Sequence, residues 1–168
     1  MKRKLIIIAL FTVFVCSIFV ILNPNIAQDY PDEFSDGEVF TPVNSHYDFG
    51  TFSLNSSNAK SFTAKIISNG HSQLVDDTGR ITVNVIEPDK MIPAKWNSIN
   101  SFLNGELEKP SWTVDGVCVH QIDFIFYDEL YAAYQKNSTT NTIIYLSTPN
   151  EQETADLMNS LIFKENNV

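Results

Sequence analysis

The chain has 168 residues, with 20 acidic residues against 11 basic ones, a formal net charge of −9 and two cysteines. A nucleic-acid-binding protein needs a basic surface, and a disulfide-stapled mini-protein needs an even set of cysteines within its domain. A disordered chain would not be 43% hydrophobic with 12% aromatic residues. The composition excludes these three classes and indicates one acidic globular domain.

Residues 5–22 form an unbroken apolar run of 18 residues without a charged side chain. A helix of this length spans about 27 Å, close to the hydrocarbon thickness of a bilayer. Lys2, Arg3 and Lys4 precede the run, and the positive-inside rule places such a flank in the cytoplasm. The sequence therefore predicts a cytoplasmic tail at residues 1–4, a transmembrane signal anchor, and a C-terminal domain outside the cell membrane.

A cleaved signal peptide is the competing interpretation of this run. Cleavage near Ala27 would release the domain as a secreted protein. The apolar stretch of a signal peptide usually has about 7 to 15 residues, so the length of the run favours the anchor. A lipoprotein is disfavoured because Cys16 lies in the middle of the run, among bulky residues.

Residues 23–45 contain three prolines, five acidic residues and no basic one. Proline and repulsion between acidic side chains extend a chain, so a linker is predicted. Calcium binding by these acidic residues is the alternative, but their spacing differs from that of an EF-hand loop. The folded domain is predicted at residues 46–164.

Polar and apolar residues alternate in the first part of the domain, which predicts strands. These strands cover residues 49–54, 62–67 and 80–86. His71 falls in a polar loop after Gly70. The stretch from Asp76 to Gly79 is typical of a type I turn closed by a glycine bulge.

The period of the apolar residues changes after residue 87. Steps of four and three predict an amphipathic helix that begins near Pro93 and ends near Gly105. Because its polar face carries mainly asparagine and serine, the helix is predicted to pack on the sheet. The recurring apolar residues are Ile92, Trp96, Ile99, Leu103 and Leu107.

Four strands and a helix are predicted in the second half. The strands cover residues 112–114, 117–126, 130–136 and 142–147. Asp115 and Gly116 form a two-residue hairpin signal between the first two of them. Thr148, Pro149 and Glu151 are typical of a capping box, with Thr148 as the N-cap of the last helix.

These elements predict an α+β domain. It contains an antiparallel sheet of about six to seven strands with two packing helices, and it is preceded by the N-terminal transmembrane helix. A domain of this size buries enough surface to fold without disulfides.

The stretch from Thr142 to Lys164 resembles the tail of uncharacterised membrane-anchored surface proteins of methanogenic archaea. The order of strands and helices over residues 47–164 is similar to that of the PsbP/Mog1-like sandwich. The resemblance implies a fold. It implies no enzymatic activity that could be assigned to particular residues here.

Cys118 is the one cysteine in the predicted extracytoplasmic part, so no disulfide can form within that domain. The sequence predicts a buried thiol in an apolar strand, because free cysteine is among the most buried residue types. The alternative is a reactive thiol or an intermolecular bridge. His120 shares the strand face of Cys118, although two residues of one strand are a weak geometry for a nucleophile and its base.

The remaining polar candidates are histidines, sequons and tyrosines. His46, His71 and His120 lack a metal-ligand spacing and are predicted to be exposed or hydrogen-bonded, so no metal or other cofactor is predicted. Asn55 and Asn137 begin sequons in predicted turns and are candidate N-glycosylation sites. Tyrosines concentrate in the second half, where ordinary strand composition competes with an exposed aromatic face for carbohydrate or protein. They are Tyr127, Tyr131, Tyr134 and Tyr145.

The sequence thus predicts a non-enzymatic, membrane-anchored extracytoplasmic domain for binding or assembly. Its expected partners are the membrane, through the N-terminal helix, and a protein or carbohydrate at the cell surface. Nucleic acid is not expected, because the acidic chain repels phosphate backbones. The alternative is a small exported hydrolase or thiol enzyme that uses Cys118 and His120.

Overall fold

The computed structural model describes residues 34–122 and 130–164. The basic tail, the anchor at residues 5–22, the site near Ala27 and the first part of the linker lie outside the described residues, as does Tyr127. Neither described helix is both long and apolar enough to span a membrane.

The described residues form eleven strands, two α-helices and a short 3-10 helix at Pro88–Lys90. The strands of the first half are β1 (Val39–Phe40), β2 (His46–Asp48), β3 (Phe52–Asn55), β4 (Phe62–Ser68), β5 (His71–Asp76) and β6 (Thr82–Ile86). The second half contains α1 (Pro93–Leu107), β7 (Ser111–Val114), β8 (Val117–Ile122), β9 (Leu130–Lys136), β10 (Ile143–Thr148), α2 (Glu151–Ser160) and β11 (Ile162–Phe163).

Eight strands pair antiparallel in the order β1-β4-β5-β6-β10-β9-β8-β7, and β11-β3-β2 form a second, smaller antiparallel sheet. The predicted α+β class, antiparallel sheet and two helices are confirmed. The described sheet has eight strands instead of six or seven. One reason is β5, whose sequence was predicted to be a polar loop.

The inward positions of β5 explain why its alternation was not recognised. Ser72, Leu74 and Asp76 are buried, so only one of the three inward residues is apolar. Gly70 makes the tight turn into β5 with φ at 71°. A Cβ on Gly70 would lie 2.7 Å from the Glu87 carbonyl oxygen, so this turn requires glycine.

The first predicted strand, residues 49–54, is interrupted in the structure. A turn at Gly50, with φ at 90°, separates β2 from β3. The Asp48 carboxylate accepts a hydrogen bond of 2.9 Å from the Gly50 amide and stabilises this turn.

The main core lies between the large sheet on one side and α2 with the small sheet on the other. Tyr47 is fully buried there, and its hydroxyl donates a hydrogen bond to the Ala59 carbonyl oxygen. Phe34 is also buried in this core, and the Asp36 carboxylate accepts a hydrogen bond from the Ile66 amide. The sequence placed both residues in the linker, whereas residues 34–45 pack on the body.

The N-cap of α2 is two residues later than predicted. Asn150 is the N-cap, and its side chain accepts a hydrogen bond of 3.1 Å from the Glu153 amide. The Thr148 hydroxyl is buried and bonds instead to the Thr154 hydroxyl, at 2.9 Å. Thr148 therefore ties β10 to the helix without capping it.

On the opposite face of the large sheet, α1 packs over a smaller apolar cluster. Leu103 contributes from the helix, Ile122 from β8 and Tyr145 from β10. β10 is buried on both faces, because α1 and the main core cover alternate residues. α1 leaves the β4–β6 part of this face uncovered, and a groove lies beside it.

Candidate functional site

An open groove of about 1100 Å³ lies between α1 and the exposed face of the large sheet. Strands β4, β5, β6 and β10 form most of its floor, β9 and β8 continue it, and α1 forms one wall. This volume is at or slightly above the upper end of the range of about 300 to 1,000 Å³ usual for ligand sites. The groove is therefore large enough for a small molecule.

The floor of the groove is polar because three neighbouring strands present register partners to it. Gln73 on β5 pairs with Asn84 on β6, and Asn84 pairs with Tyr145 on β10. The side-chain oxygen of Asn84 accepts a 3.3 Å hydrogen bond from the side-chain NH₂ group of Gln73. The side-chain NH₂ group of Asn84 donates to the backbone carbonyl oxygen of Tyr145 at 3.4 Å. These contacts fix donors and acceptors before a ligand arrives.

His71 lies at one end of this floor, with its Nε2 atom 3.3 Å from the Asn84 side-chain oxygen. Its Nδ1 atom is buried and has no hydrogen-bond partner within the described residues. Burial lowers the pKa of His71, the hydrogen bond that its ring makes to the Asn84 side-chain oxygen opposes this shift, and the charge of Lys95 lowers the pKa further. The imidazole is therefore neutral at pH 7.

The wall of the groove is apolar. Ile99, Phe102 and Leu103 line it from α1, at the spacing that places residues on one helix face. Phe102 is 55% exposed, and its ring packs edge-on against Tyr145 with 6.3 Å between centroids. An exposed aromatic ring beside a polar floor makes the groove amphipathic.

The rim of the groove is basic. Lys65 on β4 and Arg80, in the turn before β6, line it. Among the described residues, no aspartate or glutamate lines the groove, although the chain has 20 acidic residues. The groove therefore has a charge opposite to that of the chain as a whole.

His120 is buried beneath α1 and connects the helix to the sheet. Its Nε2 atom is 3.4 Å from the Tyr145 hydroxyl and 3.9 Å from a carboxylate oxygen of Glu106. Burial lowers the pKa of His120, and the Glu106 charge opposes this shift. Burial raises the pKa of Tyr145 well above its usual value, so both rings are neutral at pH 7. The predicted hydrogen-bonded histidine is found here.

The buried thiol predicted at Cys118 is wrong, because the structure exposes this residue. Cys118 pairs with Thr113 of β7, the edge strand of the sheet, where α1 does not cover it. His120 on the same face is only 3% exposed. In the described part of the chain no hydrogen bond joins Cys118 to His120, so a nucleophile and its base are not brought together.

The sequon asparagines both lie at strand ends. Asn55 is exposed at the end of β3, and its side-chain oxygen is 2.9 Å from Nδ1 of His46. The Asn137 side-chain oxygen accepts hydrogen bonds from the Thr139 and Thr140 amides. Glycosylation at either asparagine stays a prediction.

The three described tyrosines of the second half do not form one exposed face, although Tyr131 and Tyr145 both line the groove. Tyr134 is 43% exposed and pairs with buried Tyr145 on the α1 face. Tyr131 falls on the other set of alternating β9 positions, and its ring is 6.0 Å from that of Trp112. A continuous aromatic face is therefore not formed by these three residues.

A metal ion needs several acidic, histidine or cysteine side chains close together. Within residues 34–122 and 130–164, no three such side chains are arranged to hold a metal ion. His46, His71 and His120 lie on three different strands, β2, β5 and β8.

Sequence reasoning missed the groove residues Lys65, Gln73, Arg80 and Asn84. The one signal for Gln73 and Asn84 was the alternation of polar residues at outward positions in β5 and β6, while Lys65 and Arg80 lie on β4 and in the turn before β6. That signal becomes informative only once both strands are known to pair beside β10.

The groove combines a fixed polar floor, an apolar wall and a basic rim. This combination is typical of sites that orient a ligand with a few polar contacts and bury its apolar part. No family model matches this chain, and neither a curated protein nor a solved structure matches it.

Proposed function

We propose that the folded body is a non-enzymatic extracytoplasmic binding domain whose ligand lies in the groove beside α1. The observation that supports this proposal is the hydrogen-bonded floor of Gln73, Asn84 and Tyr145 facing the exposed ring of Phe102. Polar groups held in place orient a ligand at little entropic cost, and the apolar wall supplies the burial that stabilises it.

A blocking substitution tests this function. Ser98 lines the groove from α1, so Ser98→Trp fills it, whereas Asn97→Trp on the neighbouring exposed position leaves it open. A compound that binds the groove raises the melting temperature of the wild type and of Asn97→Trp but not of Ser98→Trp. The stabilisation is about 2.7 kcal/mol at a concentration 100 times Kd.

The screen uses the full chain in nanodiscs and a library of small amphipathic molecules and glycosides. The proposed site would be contradicted if every compound that stabilises the wild type also stabilises Ser98→Trp. A protein or carbohydrate partner at the cell surface stays a prediction, as does the resemblance to archaeal surface proteins.

We further propose that residues 5–22 hold the body on the outer side of the cell membrane. The length of the apolar run and its basic flank support this topology. The full chain should stay in the membrane pellet after alkaline extraction. Protease added to intact cells should digest its folded body. A soluble product that begins near residue 28 would instead establish cleavage.

The thiol-enzyme alternative gains one observation, the exposure of Cys118. A cysteine nucleophile also needs a base within hydrogen-bond reach, and the His120 ring is buried beside Tyr145. Turnover of an ester or thioester panel by the wild type, abolished in Cys118→Ala, would establish the enzyme. Activity unchanged by that substitution would remove Cys118 from it.

A further inference from the structure

We propose that the groove binds a small amphipathic anion, with its acidic group on the β4–β6 side and its apolar body against α1. This inference rests on the proposed binding function and specifies its ligand. It is carried by the charges and the exposed aromatic ring that line the groove.

The charge lining the groove is positive within an acidic chain. Lys65 and Arg80 line it without a described acidic residue, in a chain of net charge −9. Charges of one sign in a cleft concentrate small ligands of the opposite sign there. The lining therefore complements an anion and repels a cation.

Neither basic residue of the rim is used in a described ion pair. The described lysines that do pair with carboxylates lie elsewhere, and they are Lys90 with Glu87, Lys109 with Glu106, and Lys164 with Asp48. In the described residues Lys65 and Arg80 have no such carboxylate partner. Their charges are thus available to a ligand, and the guanidinium of Arg80 suits the planar geometry of a carboxylate.

Uncharged hydrogen-bonding groups lie on the floor beside the two cations. They are the His71 ring and the side-chain amides of Gln73 and Asn84, all of which line the groove.

The apolar body of the ligand is expected against Phe102. This side chain is 55% exposed on α1, next to Ile99 and within edge-on contact of Tyr145. Covering an exposed aromatic ring removes apolar surface from water and allows ring stacking. An aromatic carboxylate satisfies both the rim and the wall, whereas a neutral glycoside leaves the two cations unused.

The test compares probes that share a body and differ in charge. These are 3-phenylpropanoate, 3-phenylpropanamide and 3-phenylpropylammonium, with phenyl glucoside as the carbohydrate. Binding to the full chain is measured by saturation-transfer NMR in zwitterionic-lipid nanodiscs, with empty nanodiscs as the blank. We expect the propanoate to bind at least about tenfold more tightly than the ammonium probe.

Substitutions identify the groups responsible. Lys65→Gln and Arg80→Gln should each weaken propanoate binding about 2- to 5-fold and leave amide binding unchanged, as for other exposed ion pairs. Phe102→Ala should weaken both probes. Lys60→Gln is the matched control, because Lys60 is an exposed lysine that does not line the groove.

The outcomes separate this inference from the proposed function. If the propanoate and the ammonium probe bind equally, or if the amide or the glucoside binds more tightly than the propanoate, the preference for an anion is overturned. The proposal that the groove binds a ligand would then still stand. Propanoate binding that responds equally to Lys60→Gln and Arg80→Gln would also overturn it. If none of the four probes binds but library compounds still stabilise the wild type and not Ser98→Trp, only the anion inference is rejected. If no compound binds the groove, the proposed binding function is rejected.

Discussion

Asp76 organises the turn between β5 and β6, and its replacement tests how that turn is stabilised. The side chain is 5% exposed. One carboxylate oxygen accepts hydrogen bonds of 2.8 Å from each of the Arg80 and Ile81 amides. The other accepts from the amide and the hydroxyl of Thr78, at 3.3 and 2.5 Å. All four bonds lie within one hairpin.

The two substitutions Asp76→Ala and Asp76→Asn remove different parts of this arrangement. A hydrogen bond to a charged group contributes about 1.5 to 3 kcal/mol, and a buried donor left without a partner costs about 1 to 3 kcal/mol. The alanine variant leaves the buried Ile81 amide unpaired, while water can reach the exposed Thr78 and Arg80. We therefore expect a loss of about 2 to 4 kcal/mol in the free energy of unfolding. The asparagine variant keeps the oxygen that serves Ile81 and should lose about 1 kcal/mol.

Urea unfolding of the full chain, followed by tryptophan fluorescence, measures both values. Asp156→Ala is the control, since this exposed aspartate on α2 accepts one hydrogen bond from Gln152 and should cost less than about 0.5 kcal/mol. A loss below about 1 kcal/mol for Asp76→Ala, or equal losses for the two Asp76 variants, would refute the reasoning.

Three further predictions concern pH, a glycine turn and the thiol. Stability should fall as the pH is lowered from 6.5 to 5, because burial lowers the pKa of His71 and His120 from 6.5 in the folded chain. The unfolded chain then binds these protons first, with a slope of at most about 1.4 kcal/mol per pH unit for each histidine. Urea titrations should show a flatter profile for His71→Gln and His120→Gln, and an unchanged profile would contradict this. Gly70→Ala should destabilise the chain by about 1 to 3 kcal/mol, because its Cβ would meet the Glu87 carbonyl. Gly105 lies in α1 with open space around it, so Gly105→Ala should raise the free energy of unfolding by about 0.5 to 1 kcal/mol in the same assay. If both glycine substitutions stabilise the chain, or both destabilise it, the result is inconsistent with the structure. Native Cys118 should react with a thiol reagent in the absence of urea, as judged by absorbance against Cys118→Ser, whereas labelling that requires urea would show that the thiol is buried.

Local signals predicted the elements whose structure depends on nearby residues. The apolar period and Pro93 located α1, whose observed bounds are Pro93–Leu107. Asp115 and Gly116 form the predicted two-residue hairpin loop, and both have positive φ values, 47° and 83°. A turn of this kind requires only residues that tolerate the left-handed region, so sequence alone identifies it.

Burial across the sheet could not be predicted in the same way. Cys118 and His120 share one strand face, yet one is exposed and the other is buried. The difference depends on where α1 crosses β8, which is a tertiary property. The apolar neighbours of Cys118 indicate that it lies in a strand, but they do not indicate which side of that strand is covered. The prediction of a buried thiol was wrong for this reason.

The candidate site was hidden from the sequence for a related reason. Lys65, Arg80 and Asn84 come from β4, the following hairpin and β6, and they meet Tyr145 only through the strand order β4-β5-β6-β10. The net charge of −9 describes the chain as a whole and predicts a negative surface. Antiparallel pairing nevertheless gathers two basic residues on one face, with no acidic partner in the described residues lining the groove. The sign of the local field therefore follows from topology, and it opposes the sign predicted from composition.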